Sequence, residues 1–271
     1  MKKILYILLF LIVFTFLQAD FSGLNSGTRS LGMGNAFSAM AEEEESLFYN
    51  PAGTSGLDYY GLSTSYENSY GISDLLNLNI TAMMPYREFV YGLAIQQANL
   101  LDVYSENIMY LNVAWKYDHK KTSLMMGTNF KYFFNSGEGE VTGLKKPADL
   151  DFGLILRHRG ISLSYSNINL MRNNDEIDHI KNSHLLGMAF KWQNLLNFAV
   201  DYELCGEESF FRTGIELWFF DTFAPRMGFD DEYLTMGFGL KTSWWKFNFG
   251  MKAHEELGTT YRFGLSLKKE K

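Results

Sequence analysis

The sequence predicts an all-β fold: a transmembrane, antiparallel, up-and-down β-barrel of about 14 strands with a short N-terminal plug segment. Three observations carry this prediction. Alternating apolar and polar runs fill the chain from Leu57 onward, export is signalled at the N-terminus, and no later segment has the long apolar run of a membrane helix.

Lys2 and Lys3 precede the apolar stretch Ile4 to Leu17, followed by Gln18, Ala19 and Asp20. Charge, apolar core and small residue in that order form a secretory signal peptide, cleaved near Ala19. The apolar run is shorter than the ~20 residues a spanning helix needs. Residues 1–19 are therefore expected to be a signal peptide, 20–56 an N-terminal plug or lead-in, and 57–271 the barrel. The expected location is the outer membrane. Cys205 is the only cysteine, which excludes an internal disulfide framework. The 31 acidic side chains outnumber 24 basic ones, and loss of Lys2 and Lys3 widens the gap, so nucleic acid is not an expected partner. Aromatic residues make up 16% of the chain and glycines number 24 against 4 prolines. A sheet with one face toward lipid has this composition.

The final run is the cleanest. Thr259, Tyr261, Phe263, Leu265 and Leu267 share one face, opposite Thr260, Arg262, Gly264, Ser266 and Lys268. Period two with apolar groups on one face and charges on the other is a two-sided strand. Trp245, Phe247, Phe249 and Met251 oppose Lys246, Asn248, Gly250 and Lys252 in the same way. Strands are expected near 58–66, 76–84, 88–97, 107–117, 122–134, 149–157, 160–166, 183–192, 195–203, 209–219, 223–229, 233–242, 244–253 and 258–268. Odd-numbered connections read as longer and acidic or polar, at Glu67–Leu75, Ala98–Glu106, Asn135–Ala148 and Ile168–Asn182, followed by shorter ones carrying Glu207 and Glu208, Asp230 to Glu232, and Glu255 and Glu256, while even-numbered ones read as tight turns. Sorting loop length by rim is a membrane-barrel trait. Trp192, Trp218, Trp244, Trp245 and Tyr117 sit near strand ends, where interfacial girdles form. Glycine recurs near mid-height in the inward register, at Gly92, Gly127, Gly153, Gly187, Gly214, Gly237, Gly250 and Gly264. Either something fills the volume their side chains would occupy, or they relieve curvature.

Residues 27–53 read GTRSLGMGNAFSAMAEEEESLFYNPAG. This stretch resembles the N-terminal signature of PorV/PorQ-like outer-membrane proteins and of their more distant FadL-type relatives. The matching positions include Gly27, Arg29, Leu31, Gly32, Met33, Gly34, Ala36, Phe37, the acidic run Glu42 to Glu45, and Asn50, Pro51 and Gly53. The repeated late-strand patterns Arg212-Thr213-Gly214 and Arg226-Met227-Gly228, and the closing Tyr261 to Leu267, are similar to the same group. The resemblance implies a plugged barrel in contact with outer-membrane lipid, inserted by the barrel assembly machinery and admitting a small hydrophobic ligand. The alternative it implies is a PorV-like component serving secretion-system subunits or cell-surface attachment; a structural barrel without cargo is a third reading. Residue chemistry supports plug and plain lead-in alike: the glycines allow close backbone approach, and Asn50-Pro51 with Gly53 is a turn signal.

No nucleophile elbow, metal-binding helix motif, phosphate-binding loop or paired-cysteine site is present, so no catalytic residue, metal site or cofactor is assigned and an enzyme is not expected. A Ser–His hydrolase stays open only because geometry, not order, defines it. Asp175, Glu176 and Asp178 in Asn173 to His179 offer oxygen ligands, but their spacing matches no defined calcium loop, and a solvated acidic loop explains them as well.

Overall fold

The computed structural model describes residues 27–40, 42–72, 75–100, 104–137, 147–172, 180–254 and 257–270. The expected signal peptide, residues 20–26 and the acidic loop 173–179 lie outside the described residues.

Fourteen strands form one closed antiparallel barrel in which each pairs with its sequence neighbours and the last pairs with the first. They are β1 (Tyr59–Asn68), β2 (Leu75–Tyr86), β3 (Phe89–Leu100), β4 (Tyr104–His119), β5 (Thr122–Gly137), β6 (Ala148–His158), β7 (Ile161–Ile168), β8 (Ser183–Trp192), β9 (Leu196–Cys205), β10 (Glu208–Leu217), β11 (Phe223–Asp230), β12 (Tyr233–Lys241), β13 (Trp245–His254) and β14 (Gly258–Glu270). Closure runs from Tyr59↔Glu270 to Asn68↔Tyr261. It leaves no edge strand, so every ladder group has a partner inside the membrane.

Side-chain alternation fixes which face is which. Leu62, Ile80, Leu93, Leu111, Phe130, Leu163, Phe211, Met227, Phe263 and Leu265 are exposed on the outside, whereas Ser63, Asn79, Gln96, Asn112, Asn129, Ser164, Arg212, Arg226, Arg262 and Ser266 are buried within. An apolar exterior around a polar interior is the inverse of a soluble domain and is the arrangement a bilayer requires.

The elements match the expected strands, and the differences have local causes. Expected loop Ala98–Glu106 is mostly ladder, because β3 runs to Leu100 and β4 starts at Tyr104. Pairs such as Ala98↔Glu106 extend the sheet beyond the apolar belt and keep the backbone hydrogen-bonded. The rim asymmetry is confined to the first half: residues 69–74, 138–147 and 169–182 make long connections, but β9–β10 turns at Gly206–Glu207 and β11–β12 at Asp231–Glu232. On the opposite rim β10 ends at Leu217, two residues earlier than expected. Its ladder to β11 stops at Glu216↔Arg226, next to Pro225, which has no N–H to offer. Trp218 consequently leaves the expected outer girdle and donates its indole N–H to Glu216 at 2.7 Å.

Candidate functional site: the lumen and the N-terminal segment

Residues 27–40 and 42–57 lie in the lumen against the inward faces of the strands. A short helix α1 (Thr28–Gly32) opens the segment, and 3-10 turns follow at Glu44–Phe48 and Pro51–Gly56. The turn expected at Asn50-Pro51 is one of these: Asn50 caps it by accepting from the Ala52 N–H at 3.0 Å, with Pro51 as the first residue. Proline suits that position because its fixed φ matches and its missing N–H would have had no partner. Gly53 donates its N–H to the Asn50 carbonyl at 2.9 Å.

The inward glycines trace where this segment runs. A side chain at Gly127 would overlap the Pro51 carbonyl, and one at Gly153 would overlap Asn50. Gly187 faces Ser38, Gly214 faces the Met33 carbonyl, Gly237 faces Gly32, and Gly250 and Gly264 face Thr28. Seven of the eight glycines singled out in the sequence thus receive the N-terminal segment; Gly92 faces Met83 and Asn112 instead. Gly228, not singled out by height, receives Gly34. Gly34 itself has φ +63 and lies against the backbone of Phe229, so both its conformation and its clearance exclude a side chain.

Charged groups from the strands grip the segment between these glycines. Glu216 accepts from Arg29 Nε at 2.8 Å and Nη2 at 2.6 Å, from Arg226 Nε at 2.6 Å and from Asn197 at 2.7 Å. Asp201 accepts the backbone N–H groups of Phe37 and Ser38 at 2.9 and 2.8 Å and the Ser38 hydroxyl at 2.8 Å. Asp230 accepts from Asn35 at 2.9 Å while pairing with Arg212 and Lys252. Arg262 donates to the Gly27 carbonyl at 2.7 Å and pairs with Glu67. Thr235 accepts from the Gly34 N–H at 2.8 Å. The Arg-x-Gly pattern has a physical reading here. Residues two apart in a strand share a face, so Arg212/Gly214, Arg226/Gly228 and Arg262/Gly264 each place a cation beside a notch that admits the segment, by its backbone at Gly214 and Gly228 and by the Thr28 side chain at Gly264.

The signature positions Gly27, Arg29, Gly32, Met33, Gly34, Phe37, Asn50, Pro51 and Gly53 all fall in this arrangement. Met33 and Phe37 are fully buried, and Phe37 packs edge-on against Tyr49 at 5.6 Å and beneath the Arg29 guanidinium. Of the strand carboxylates that complete the grip, Asp201 and Glu216 were visible in the sequence only as charges within expected strands, and Asp230 only as part of an acidic connection. Pairing each with a segment residue needs the three-dimensional path.

The acidic run is split by its surroundings. Burial opposes ionisation of Glu43, but Arg29, Lys246 and Arg226 outweigh it and hold that carboxyl below its ordinary value. Glu42 is likewise held low against burial by Arg157 and Lys191. At Glu45 burial, reinforced by Glu43, outweighs the N–H from Thr28 at 2.8 Å and the charge of Arg262 and pushes the carboxyl up to about 8. A carboxyl raised in the folded state stabilises fully below its unfolded value near 4.5 and loses that contribution as pH rises to about 8. Hydrogen exchange, corrected for intrinsic rates, should therefore show residues 28–56 loosening between pH 5.5 and 8.5. Glu45→Gln should flatten this response; an unchanged response in that variant would remove Glu45 as its source.

The lumen is chemically lopsided. Toward β2–β5 it is walled by Met83, Val90, Ala94, Ile108, Tyr110 and Phe133, with Phe48 of the segment edge-on to Tyr110 at 5.3 Å. Toward β9–β14 it is walled by the charged groups above. From the long-loop rim, Arg172 reaches in to Asp149 at 2.9 Å and Ile180 joins the apolar wall.

No protein-family model matches this sequence, and no curated protein matches it significantly. Solved structures do match. A deltaS2 mutant of the TodX monoaromatic hydrocarbon channel superposes with TM-score 0.62 at 10% identity, covering 93% of this chain and 100% of that one. The CymD monoaromatic hydrocarbon channel gives 0.60 at 9% identity, covering 93% and 99%. A FadL homologue of Pseudomonas aeruginosa gives 0.58 at 9%, covering 90% and 98%. At these identities the likeness establishes architecture: the chain has the fold of the FadL-type and TodX-type outer-membrane barrels.

Proposed function

We propose that this protein is an outer-membrane barrel that passes small hydrophobic molecules, with residues 27–56 acting as a plug. The observation that carries the reading is the apolar wall of Met83, Val90, Ile108, Tyr110 and Phe133 on one side of a barrel whose opposite side, toward β9–β14, carries the charged groups. A water-filled pore for hydrophilic solutes gains nothing from inward-facing Phe and Ile, whereas an apolar solute needs a surface on which to shed water. The similar structures support the same direction, since two are described as monoaromatic hydrocarbon channels and one as a FadL homologue. The resemblance of residues 27–53 to PorV/PorQ-like proteins leaves a role in secretion as the competing outcome.

The test is uptake of radiolabelled toluene and a long-chain fatty acid by cells lacking or expressing the protein. Expression should raise the initial rate of at least one severalfold. Equal rates for both, together with a secretion or surface-attachment defect on deletion, would replace transport by the accessory role.

A further inference from the structure

At the rim formed by the short turns, between the N-terminal segment and β9–β14, lies a cavity of about 260 Å³ whose lining includes Arg29, Arg226, Lys191, Lys241, Lys246 and Lys268. The carboxylates facing these cations are shared. Glu43 serves both Arg29 and Lys246, Glu216 serves both Arg29 and Arg226, and Glu42 serves both Lys191 and Arg157. Lys241 has the exposed Asp221, and Lys246 also reaches Glu44 at 3.9 Å. Lys268 has no carboxylate partner among the described residues; its ammonium rests 4.8 Å from the centre of the Tyr59 ring. With Arg157, which shares Glu42 from outside the cavity, seven cations therefore face five carboxylates, an excess of two positive charges in and beside a space open to solvent. Two aromatic surfaces flank it, Tyr59 under Lys268 and Trp218 under Lys241 at 4.3 Å.

We propose that this cavity binds a phosphate dianion, free or as the ester of a small aromatic or apolar alcohol, with Lys268 supplying the uncommitted cation. A phosphomonoester carries nearly two negative charges at neutral pH, which matches the excess. Its three acceptor oxygens can each take a charge-assisted hydrogen bond from a different ammonium or guanidinium. The rings of Tyr59 and Trp218 offer a face to an ester's organic group. This site lies on the charged wall, away from the apolar one, and does not depend on whether the lumen conducts hydrophobic molecules.

Calorimetric titration of the detergent-solubilised full-length protein at low salt, with phenyl phosphate, inorganic phosphate and phenol, tests it. Phenyl phosphate should bind at one site and phenol should not. Lys268→Gln should weaken binding about tenfold and Lys268→Arg should restore most of it. Lys241→Gln, at the opposite edge of the cavity, should weaken it as well. Heat-modifiable migration identifies variants that still form the barrel. Inorganic phosphate binding as tightly as phenyl phosphate supports the free anion as ligand, and weaker binding supports the ester. Absence of binding by either phosphate, or unchanged affinity in folded Lys268→Gln, overturns the assignment.

Discussion

Gly214→Leu is expected to destabilise the folded barrel by about 3 kcal/mol, or to expel the N-terminal segment from the lumen. The added Cβ would overlap the Met33 carbonyl, which is backbone and cannot swing aside. Met33 is held on both flanks, by Glu216 on Arg29 and by Thr235 on Gly34. Gly92→Ala is the matched control on the opposite wall: its nearest neighbours are the sulfur and methyl of Met83, a flexible side chain that can yield. It should cost less than about 1 kcal/mol. Urea titrations in lipid vesicles measure the difference, and limited proteolysis reports whether the segment has come out. Equal tolerance of the two changes would mean that the segment does not occupy the glycine notches.

Glu216→Ala should cost about 3–5 kcal/mol, because it strips the shared carboxylate from two buried guanidiniums. Arg29 would keep Glu43 at 3.4 Å, but Arg226 would keep only Asn248 at 2.9 Å. Asp221→Ala breaks an ion pair too, that with Lys241, yet Asp221 is exposed at its turn and the loss should stay below about 1 kcal/mol. Placing both variants in the same unfolding series separates a grip on the segment from ordinary rim electrostatics. Near-equal costs would show that Glu216 is dispensable to the fold.

Much of this architecture was legible because a barrel strand writes its two environments into alternate residues. Phe263 and Leu265 against Arg262 and Ser266 give facing, length and register together, since a slip by one residue would turn Arg262 into lipid. The mid-height glycines were also readable, since seven of the eight face the segment. What sequence alone did not yield was pairing at a distance. Asp201 meets the N–H groups of Phe37 and Ser38 across more than half the chain, and nothing local to either partner specifies the other. Trp218 failed as a girdle residue for a related reason: its indole N–H is committed to Glu216, a contact set by where Pro225 interrupts the β10–β11 ladder. The short turns at Gly206–Glu207 and Asp231–Glu232 blurred the rim asymmetry because Glu208 and Asp230 belong to strands, although they read as loop.

Single-channel conductance in planar bilayers tests the central claim most directly, by comparing the intact protein with a variant lacking Gly27–Asn50 that still migrates as a heat-modifiable barrel. If this segment closes the lumen, the intact protein should show little ion conductance and the deletion should open steps severalfold larger, as expected for a fourteen-stranded barrel too wide for its own side chains to fill. A folded deletion variant with the conductance of the intact protein would contradict the account.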